Sequence, residues 1–292
     1  ILKKVKGIPQ AALIANYLMI QKRLAQVRSW LKELNEDTGR VHGYVNPNGA
    51  VTGRMTHSHP NMAQIPSSSS PYGKECRSCW IVPENYKLVG IDASGLELRM
   101  LAHYLDDEGY TNEILNGDIH TANQKLAGLQ SRDQAKTFIY ALLYGAGDAK
   151  LGTVAGRGRE AGKRLRQSFF DNLPSFKTLT GRVQREAADG YVKGLDGRKL
   201  TVRSAHAALN TLLQGAGAII MKQAMILLDG KLKYLDAKFV ANVHDEWQIE
   251  CHESVADQVG KLGVEAIIEA GKLLNLNCPL DGDYNVGDNW SE

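Results

Sequence analysis

The sequence is short of several things, and each shortage excludes something. It has four cysteines in 292 residues, Cys76, Cys79, Cys251 and Cys278. Their spacing forms no secreted disulfide framework, which points to a reducing compartment. The longest apolar run near the start, residues 11–20, is interrupted by Asn16 and is too short to span a bilayer. No charged n-region leads into a cleavage site. Charge of one sign is not in excess: 35 basic against 32 acidic residues leave a formal +3. A polyanion-binding surface therefore has to come from how the charges are arranged. Phe is scarce, five against eleven Tyr, a bias toward aromatic faces with a polar tip. There is no internal repeat, no low-complexity segment and no Gly-x-Ser-x-Gly elbow for a hydrolase triad. A Walker A loop fails at residues 156–164, where Arg157 stands in place of the required glycine and Arg164 in place of Ser or Thr. The initiator Met is missing too, which predicts an N-terminus cut from something longer. The expectation is a soluble, cytoplasmic chain with no membrane partner.

What is present is ordinary in bulk: 43% hydrophobic and 23% charged residues, as in globular proteins. The length leaves room for about two domains or one large one. Residues 9–34 read as one long helix, with Pro9 in its first turn. Leu13, Tyr17, Ile20, Leu24, Val27, Leu31 and Leu34 recur there at alternating four- and three-residue steps. Such a stripe packs on a core or on a partner, and core packing is the expectation. Residues 35–86 turn to Gly, Pro, Ser and Asn, predicting short strands joined by long ordered loops. A compact strand, residues 86–92, ends in Asp92 and is followed by a helix over 94–105. Residues 110–190 are mostly helical, and basic residues concentrate from Arg157 to Arg203. Residues 209–228 form another strong helix, 238–251 alternate like a β-hairpin, and a helix over 254–273 precedes an irregular tail.

Two acidic sites sit at strand ends, Asp92 and the pair Asp245-Glu246. Carboxylates held this way suit a hard cation such as Mg²⁺, with substrate phosphates completing its shell. A helix cap at Asp92 and a turn at Asp245 remain the alternatives. A second pattern accompanies them: Arg132, Lys136, Tyr140 and Tyr144 fall at four-residue steps along one face of a helix. Two cations followed by two aromatics can grip phosphates at one end and stack a base or sugar at the other. A solvated basic face with half-buried tyrosines is the other possibility. His57, His59, Cys76 and Cys79 have the ligand types of a zinc site without a finger's spacing.

At these residues the sequence resembles a known family. Asp92-Ala93-Ser94-Gly95-Leu96-Glu97-Leu98-Arg99 is similar to the first carboxylate motif of family A (DNA polymerase I-like) DNA polymerases. Residues 132–145 resemble their fingers helix, and Val243-His244-Asp245-Glu246 their second carboxylate motif. Thr52-Gly53-Arg54 with residues 61–66, and residues 206–214, resemble their primer–template contact motifs. All come in family order, over a span from about Gly7 to Asn289-Trp290. Asn116-Gly117-Asp118-Ile119-His120-Thr121 and Gly194-Leu195-Asp196-Gly197-Arg198-Lys199 resemble the branch found in short-tailed phages of the T-seven type.

The resemblance implies an α/β (α+β) fold: a right-hand palm whose antiparallel sheet carries two catalytic Asp, with an inserted helical fingers subdomain and the thumb largely absent. The implied division is a terminal thumb/palm helix at 1–35, palm at 36–105, fingers at 106–200 and palm again at 201–292. The implied activity is template-directed addition of deoxynucleotides to a primer 3′-hydroxyl. Asp92 and Asp245, with the carbonyl of Ala93, would hold two Mg²⁺ ions, Mn²⁺ being able to substitute. Glu246 joins the catalytic set as a ligand or a neighbour of the metal site.

His120, Arg132 and Lys136 would grip the triphosphate, with Lys136 neutralising or protonating the leaving group. Glu97 and Tyr140 would close the floor of the sugar pocket, and Tyr140 in place of the Phe of many relatives implies better acceptance of dideoxynucleotides. Tyr144 would stack near the templating base. Arg54 and Gln214, with His206 and Asn210 on the same helical face, would probe the minor groove, whose acceptor pattern is degenerate. His244 would sit at the primer end. Implied partners are primer–template DNA, deoxynucleoside triphosphates and an N-terminal thumb/exonuclease chain. No proofreading exonuclease is expected within this chain, and a thioredoxin-type processivity factor is not assignable. Weak grip on duplex DNA and low processivity are expected of the chain alone. The rival expectations are an idle primer–template-binding fragment that needs an N-terminal companion, and a two-metal nuclease.

Overall fold

The computed structural model describes residues 8–291. Helix α1 (Pro9–Lys32) starts on proline, whose missing N–H is no loss in a first turn. Its apolar stripe is mostly exposed, with Val27 alone packed against a buried cluster. Leu13 is 71% exposed and Leu31 63%, while only Ala11 and Trp30 are buried. The docking face lies about a quarter turn away: Arg23 donates to the Pro71 carbonyl, Gln26 to that of Gln64, and Trp30 stands edge-on to Trp80 at 5.3 Å. The expectation of core packing fails because those polar reaches and one tryptophan, not the leucines, attach the helix.

The Gly- and Pro-rich stretch forms two small hairpins, β1 (Leu34–Asn35) with β2 (Arg40–Val41) and β3 (Tyr44–Asn46) with β4 (Thr56–Ser58), then the short helix α2 (Gly73–Ser78). Strand β5 (Tyr86–Ala93) leads into α3 (Leu96–Leu105). The helical region follows as α4 (Glu108–Leu115), α5 (Ile119–Ala127), α6 (Arg132–Leu143), α7 (Asp148–Val154), α8 (Arg159–Asn172) and α9 (Pro174–Glu186). A hairpin of β6 (Tyr191–Lys193) and β7 (Lys199–Thr201) returns the chain to the long helix α10 (Ala208–Leu232). Strands β8 (Ala237–Val243) and β9 (Glu246–His252), helix α11 (Ala256–Leu273) and strand β10 (Gly282–Gly287) complete it.

Helix α10 is long and apolar enough to cross a membrane, but 67% of its most apolar window is buried inside the fold. The tail expected to be irregular is strand β10, paired antiparallel to β5 with Asp283 opposite Asp92. Its sequence, Gly-Asp-Tyr-Asn-Val-Gly, alternates only over Tyr284 and Val286, too short an apolar pattern to mark a strand by itself. Backbone pairing to β5 makes it a strand, as does Tyr284, whose ring a Cβ at Gly260 would approach within 2.1 Å.

The central sheet is antiparallel, in the order β10-β5-β9-β8. Alternation gives it two unlike faces. Val89 and Ile91 of β5 and Trp247, Ile249 and Cys251 of β9 belong to the main core, against α11. Leu88, Gly90 and Asp92, opposite Glu250, Gln248 and Glu246, make up the other face. On that side a smaller cluster of Trp30, Ile65, Cys76, Leu88 and Trp290 ties α1 and α2 to the sheet. The helical region has its own aromatic stack, Phe138–Phe169–Phe176, with ring centres at 5.9 and 5.2 Å.

Helix α11 lies so close to β5 that a Cβ at Gly263 would come within 2.3 Å of Ile91 Cδ1. Overpacking of a filled core costs about 1–3 kcal/mol. Gly263→Ala is expected to lower the unfolding free energy by that amount in a urea titration.

Candidate active site

The site lies at the open end of the central sheet. Residues His244 and Asp245 are the two-residue turn between β8 and β9, and His244 has φ +58°. Tight hairpins of the primed types need such a positive φ, which in a residue with a Cβ costs about 1–2 kcal/mol. The strained turn points Asp245 back along the sheet, where its carbonyl accepts the backbone N–H of Ala93 at 3.0 Å. Asp92 stands directly opposite Glu246 on one side and Asp283 on the other, so the three carboxylates leave the same face.

Asp92 is exposed at the sheet end but crowded by protein on its other sides. Its carboxyl is pushed up to about 6, first by burial and then by the charges of Glu246, Asp245 and Asp283. Such crowding is what a bound divalent cation relieves, so the donor set fits Mg²⁺. Among the described residues no group of three or more His, Cys, Asp or Glu is arranged as a complete metal cage. For Mg²⁺ that is no obstacle, because one or two carboxylates with substrate oxygens suffice. For zinc it is decisive: His57, His59, Cys76 and Cys79 do not form a four-ligand set, and the four cysteines are free.

Helix α6 is started by Ser131, whose hydroxyl accepts the Gln134 N–H at 3.2 Å, while the Gln134 side chain reaches back to the N–H of Gln130. That cap fixes the helix bearing Arg132, Lys136 and Tyr140, with Tyr144 at its C-cap. His120 joins them from α5, its ring 6.5 Å from that of Tyr140. Burial, then the charges of Arg132 and Lys136, hold the His120 imidazole below its usual range, so the three expected phosphate-binding groups do converge. Arg132 is engaged, though: Nε and Nη2 donate to the two oxygens of Asp118 at 2.6 and 3.2 Å. Asp118 also caps α5, a double role that its place in the Asn116–Thr121 motif did not disclose.

Glu97 was expected beside Tyr140. It accepts from the Tyr144 hydroxyl at 3.0 Å, and it lies near enough to Tyr140 that, after burial, its charge and that of Asp245 raise the Tyr140 phenol. Burial raises the Glu97 carboxyl, and the Tyr144 hydrogen bond and Arg54 oppose that rise. Arg54 lies 3.4 Å from Asp245 Oδ1. Burial first, then Arg54, holds His244 low. His206 precedes α10 in a 3₁₀ turn, and Asn210 and Gln214 follow on the helix. His206 lines a cavity of about 490 Å³ with Gly145, Asp148, Arg159 and Arg166. Of the expected residues, His120 thus groups with Arg132, Lys136 and Tyr140, and Glu97 with Tyr140, Tyr144 and Arg54, while His206 faces a separate cavity. Sequence reasoning missed Arg77, Gln248 and Trp290, which surround Glu246.

Comparison with known proteins agrees with this geometry. The family model described as DNA polymerase family A matches residues 1–292. The chain belongs to DNA polymerase family A. The DNA-directed DNA polymerases of Enterobacteria phage T3 and Escherichia phage T7 are each 46% identical to this family A chain across 96% of its length. The match takes in 45% of each phage enzyme, so the chain spans about half the length of these curated relatives. DNA polymerase I of Thermus aquaticus is 30% identical over 87% of the chain and 33% of its own length. The solved POL domain of Pol1 from M. smegmatis, in complex with DNA primer-template and dNTP, superposes with a TM-score of 0.90 at 26% identity. It covers 98% of this chain and 54% of its own. The mixed helix and sheet architecture is thus that of a family A POL domain.

The Tyr144 phenol is pushed up to about 12, by burial first and then by Glu97 through charge and hydrogen bond. Replacing Glu97 by Gln removes the charge. Glu97→Gln is therefore expected to bring the Tyr144 titration down toward the ordinary tyrosine range, read by NMR of ¹³C-labelled tyrosine.

Proposed function

We propose that this chain is the catalytic portion of a template-directed DNA polymerase, which adds deoxynucleotides to a primer 3′-hydroxyl by nucleotidyl transfer. The observation that carries the reading is the crowding of Asp92 by Asp245, Glu246 and Asp283, with Tyr140 of the cation-bearing helix α6 near enough to feel the Asp245 charge. In this reading the central sheet with its flanking segments is the palm, and residues 106–200 are the fingers. Two Mg²⁺ ions, or Mn²⁺ in their place, would be held by Asp92, Asp245 and the Ala93 carbonyl and would supply Lewis acidity to primer oxygen and leaving phosphate.

The rest is positioning and charge neutralisation by side chains. His120, Arg132 and Lys136 bind the triphosphate, Arg132 exchanging Asp118 for a phosphate that matches its fork equally well. Lys136 neutralises the departing pyrophosphate or gives it a proton from Nζ. Glu97 and Tyr140 close the floor of the sugar pocket against a 2′-hydroxyl. Tyr144, held by Glu97, marks where the templating base stacks. Arg54 and Gln214 contact minor-groove acceptors, with His206 and Asn210 beside them and His244 at the primer end. Primer–template DNA and deoxynucleoside triphosphates are the partners, and four free cysteines fit a cytoplasmic setting.

Primer extension on a labelled hairpin with Mg²⁺ and four deoxynucleotides tests this. Wild type should extend by template order, and Asp245→Asn should lower the rate by about a thousandfold or more. Lys136→Ala should cost about a hundredfold or more. Salt-dependent binding of the hairpin with no extension, even when an N-terminal companion is supplied, would leave an idle DNA-binding fragment. Degradation of the hairpin without nucleotides would mark a nuclease.

A further inference from the structure

We propose that Trp290, Gln248 and Arg77 are positioning residues that hold the Glu246 carboxylate by one oxygen, making it a stationary acid beside Asp92 and not a mobile cation ligand. The inference rests on the polymerase reading and assigns a role to one acid of that site. Glu246 opens β9 opposite Asp92. Two hydrogen bonds and an ion pair converge on its Oε1: the Trp290 indole N–H and the Gln248 amide each donate at 2.5 Å, and the Arg77 guanidinium lies 3.6 Å away. Hydrogen bonds to an ionised acceptor are about twice as strong as neutral ones. Among the described residues no donor reaches Oε2, so the second oxygen keeps its negative charge unpaired beside Asp92.

The seat around Glu246 is built from several directions. Gln248 lies opposite Gly90, where a Cβ would come within 2.8 Å of Gln248 Nε2. Only a residue without a side chain at 90 leaves the amide room to turn toward Glu246. Arg77 rests over the Trp290 ring at 4.9 Å and donates from Nε to the Pro66 carbonyl at 3.1 Å. Trp290 is 4% exposed, and its backbone N–H donates to the Trp80 carbonyl at 3.1 Å. Asn289 forms a bridge with Ile81. The tail after β10 is thus stitched to the segment before β5, and its tryptophan is delivered to the acid. A carboxylate pinned through one oxygen adds a fixed negative field without filling the cation's coordination sphere, which stays open for substrate oxygens.

Two measurements test the assignment: Mn²⁺ binding to the DNA-free protein by electron paramagnetic resonance, and single-nucleotide insertion kinetics. Trp290→Phe keeps a ring in the pocket and removes the donor; Gln248→Met removes the other donor at similar volume. Each is expected to weaken Mn²⁺ binding and to lower kcat by about tenfold, with KM for the nucleotide within about twofold. In a Glu246→Ala background, Trp290→Phe should change neither quantity further. Equal effects of Trp290→Phe in both backgrounds, or no effect on Mn²⁺ binding in either single variant, would overturn the proposal. If the Mn²⁺ pattern holds but wild type extends no primer, the anchor stands and the polymerase reading falls.

Discussion

Negative charges repel, and the pairing of β5 with its two neighbours sets three carboxylates in a row across one end of the sheet. A fourth, on the strained β8–β9 turn, lies beside them. Much of what surrounds the site answers that repulsion. Asp245 has Arg54, Asp283 has the Ser94 hydroxyl at 2.7 Å, and Glu246 has two donors and the Arg77 charge. Asp92 alone, among the described residues, receives no such donor, and it is the acid whose carboxyl is pushed up most clearly. The molecule holds an unrelieved charge conflict at one atom group, which is how a protein keeps a place for a cation.

The sheet can sustain this because its other face is apolar. Trp247, Ile249 and Cys251 are fully buried next to Glu246, Gln248 and Glu250 on the same strand. Alternation therefore assigns every second residue to stability and the rest to chemistry. The polar side is anchored in turn: Arg40 bonds Glu250 at 2.7 Å, so even the small hairpin after α1 reaches the chemical face. The helical region opposes this face with residues mounted on a capped helix, so neither half of the site depends on an unsupported loop.

The sequence disclosed what was local. An acid at the end of an apolar strand, four polar or aromatic residues at four-residue steps, and a hairpin interrupted by His-Asp each fit within a few turns of chain. Those readings agree with the strands and helices found. It was blind where partners are distant or the pattern misleads. Nothing near Glu246 announces Trp290, because the two meet only after the tail folds back on the sheet. Asp118 stood out only as part of a family motif; its cap of α5 and its grip on Arg132 show where α5 meets α6. The Tyr144–Glu97 bond was not legible, because helical phase predicts a shared face and not which ring reaches an acid on another helix. The α1 stripe is the opposite error: a periodicity fit for burial whose leucines face solvent.

Strand β5 lies between a strand drawn from residues 246–252 and one drawn from residues 282–287. On a ribosome Asp92 emerges long before either, and contacts so far apart in sequence close slowly. Until those segments are made, the growing chain holds Asp92 on a strand with both of its sheet edges open. Each edge is filled only when its own later segment has been made, β9 before β10. The row of carboxylates at the sheet end is thus a product of long-range pairing, and no short stretch of the chain contains it.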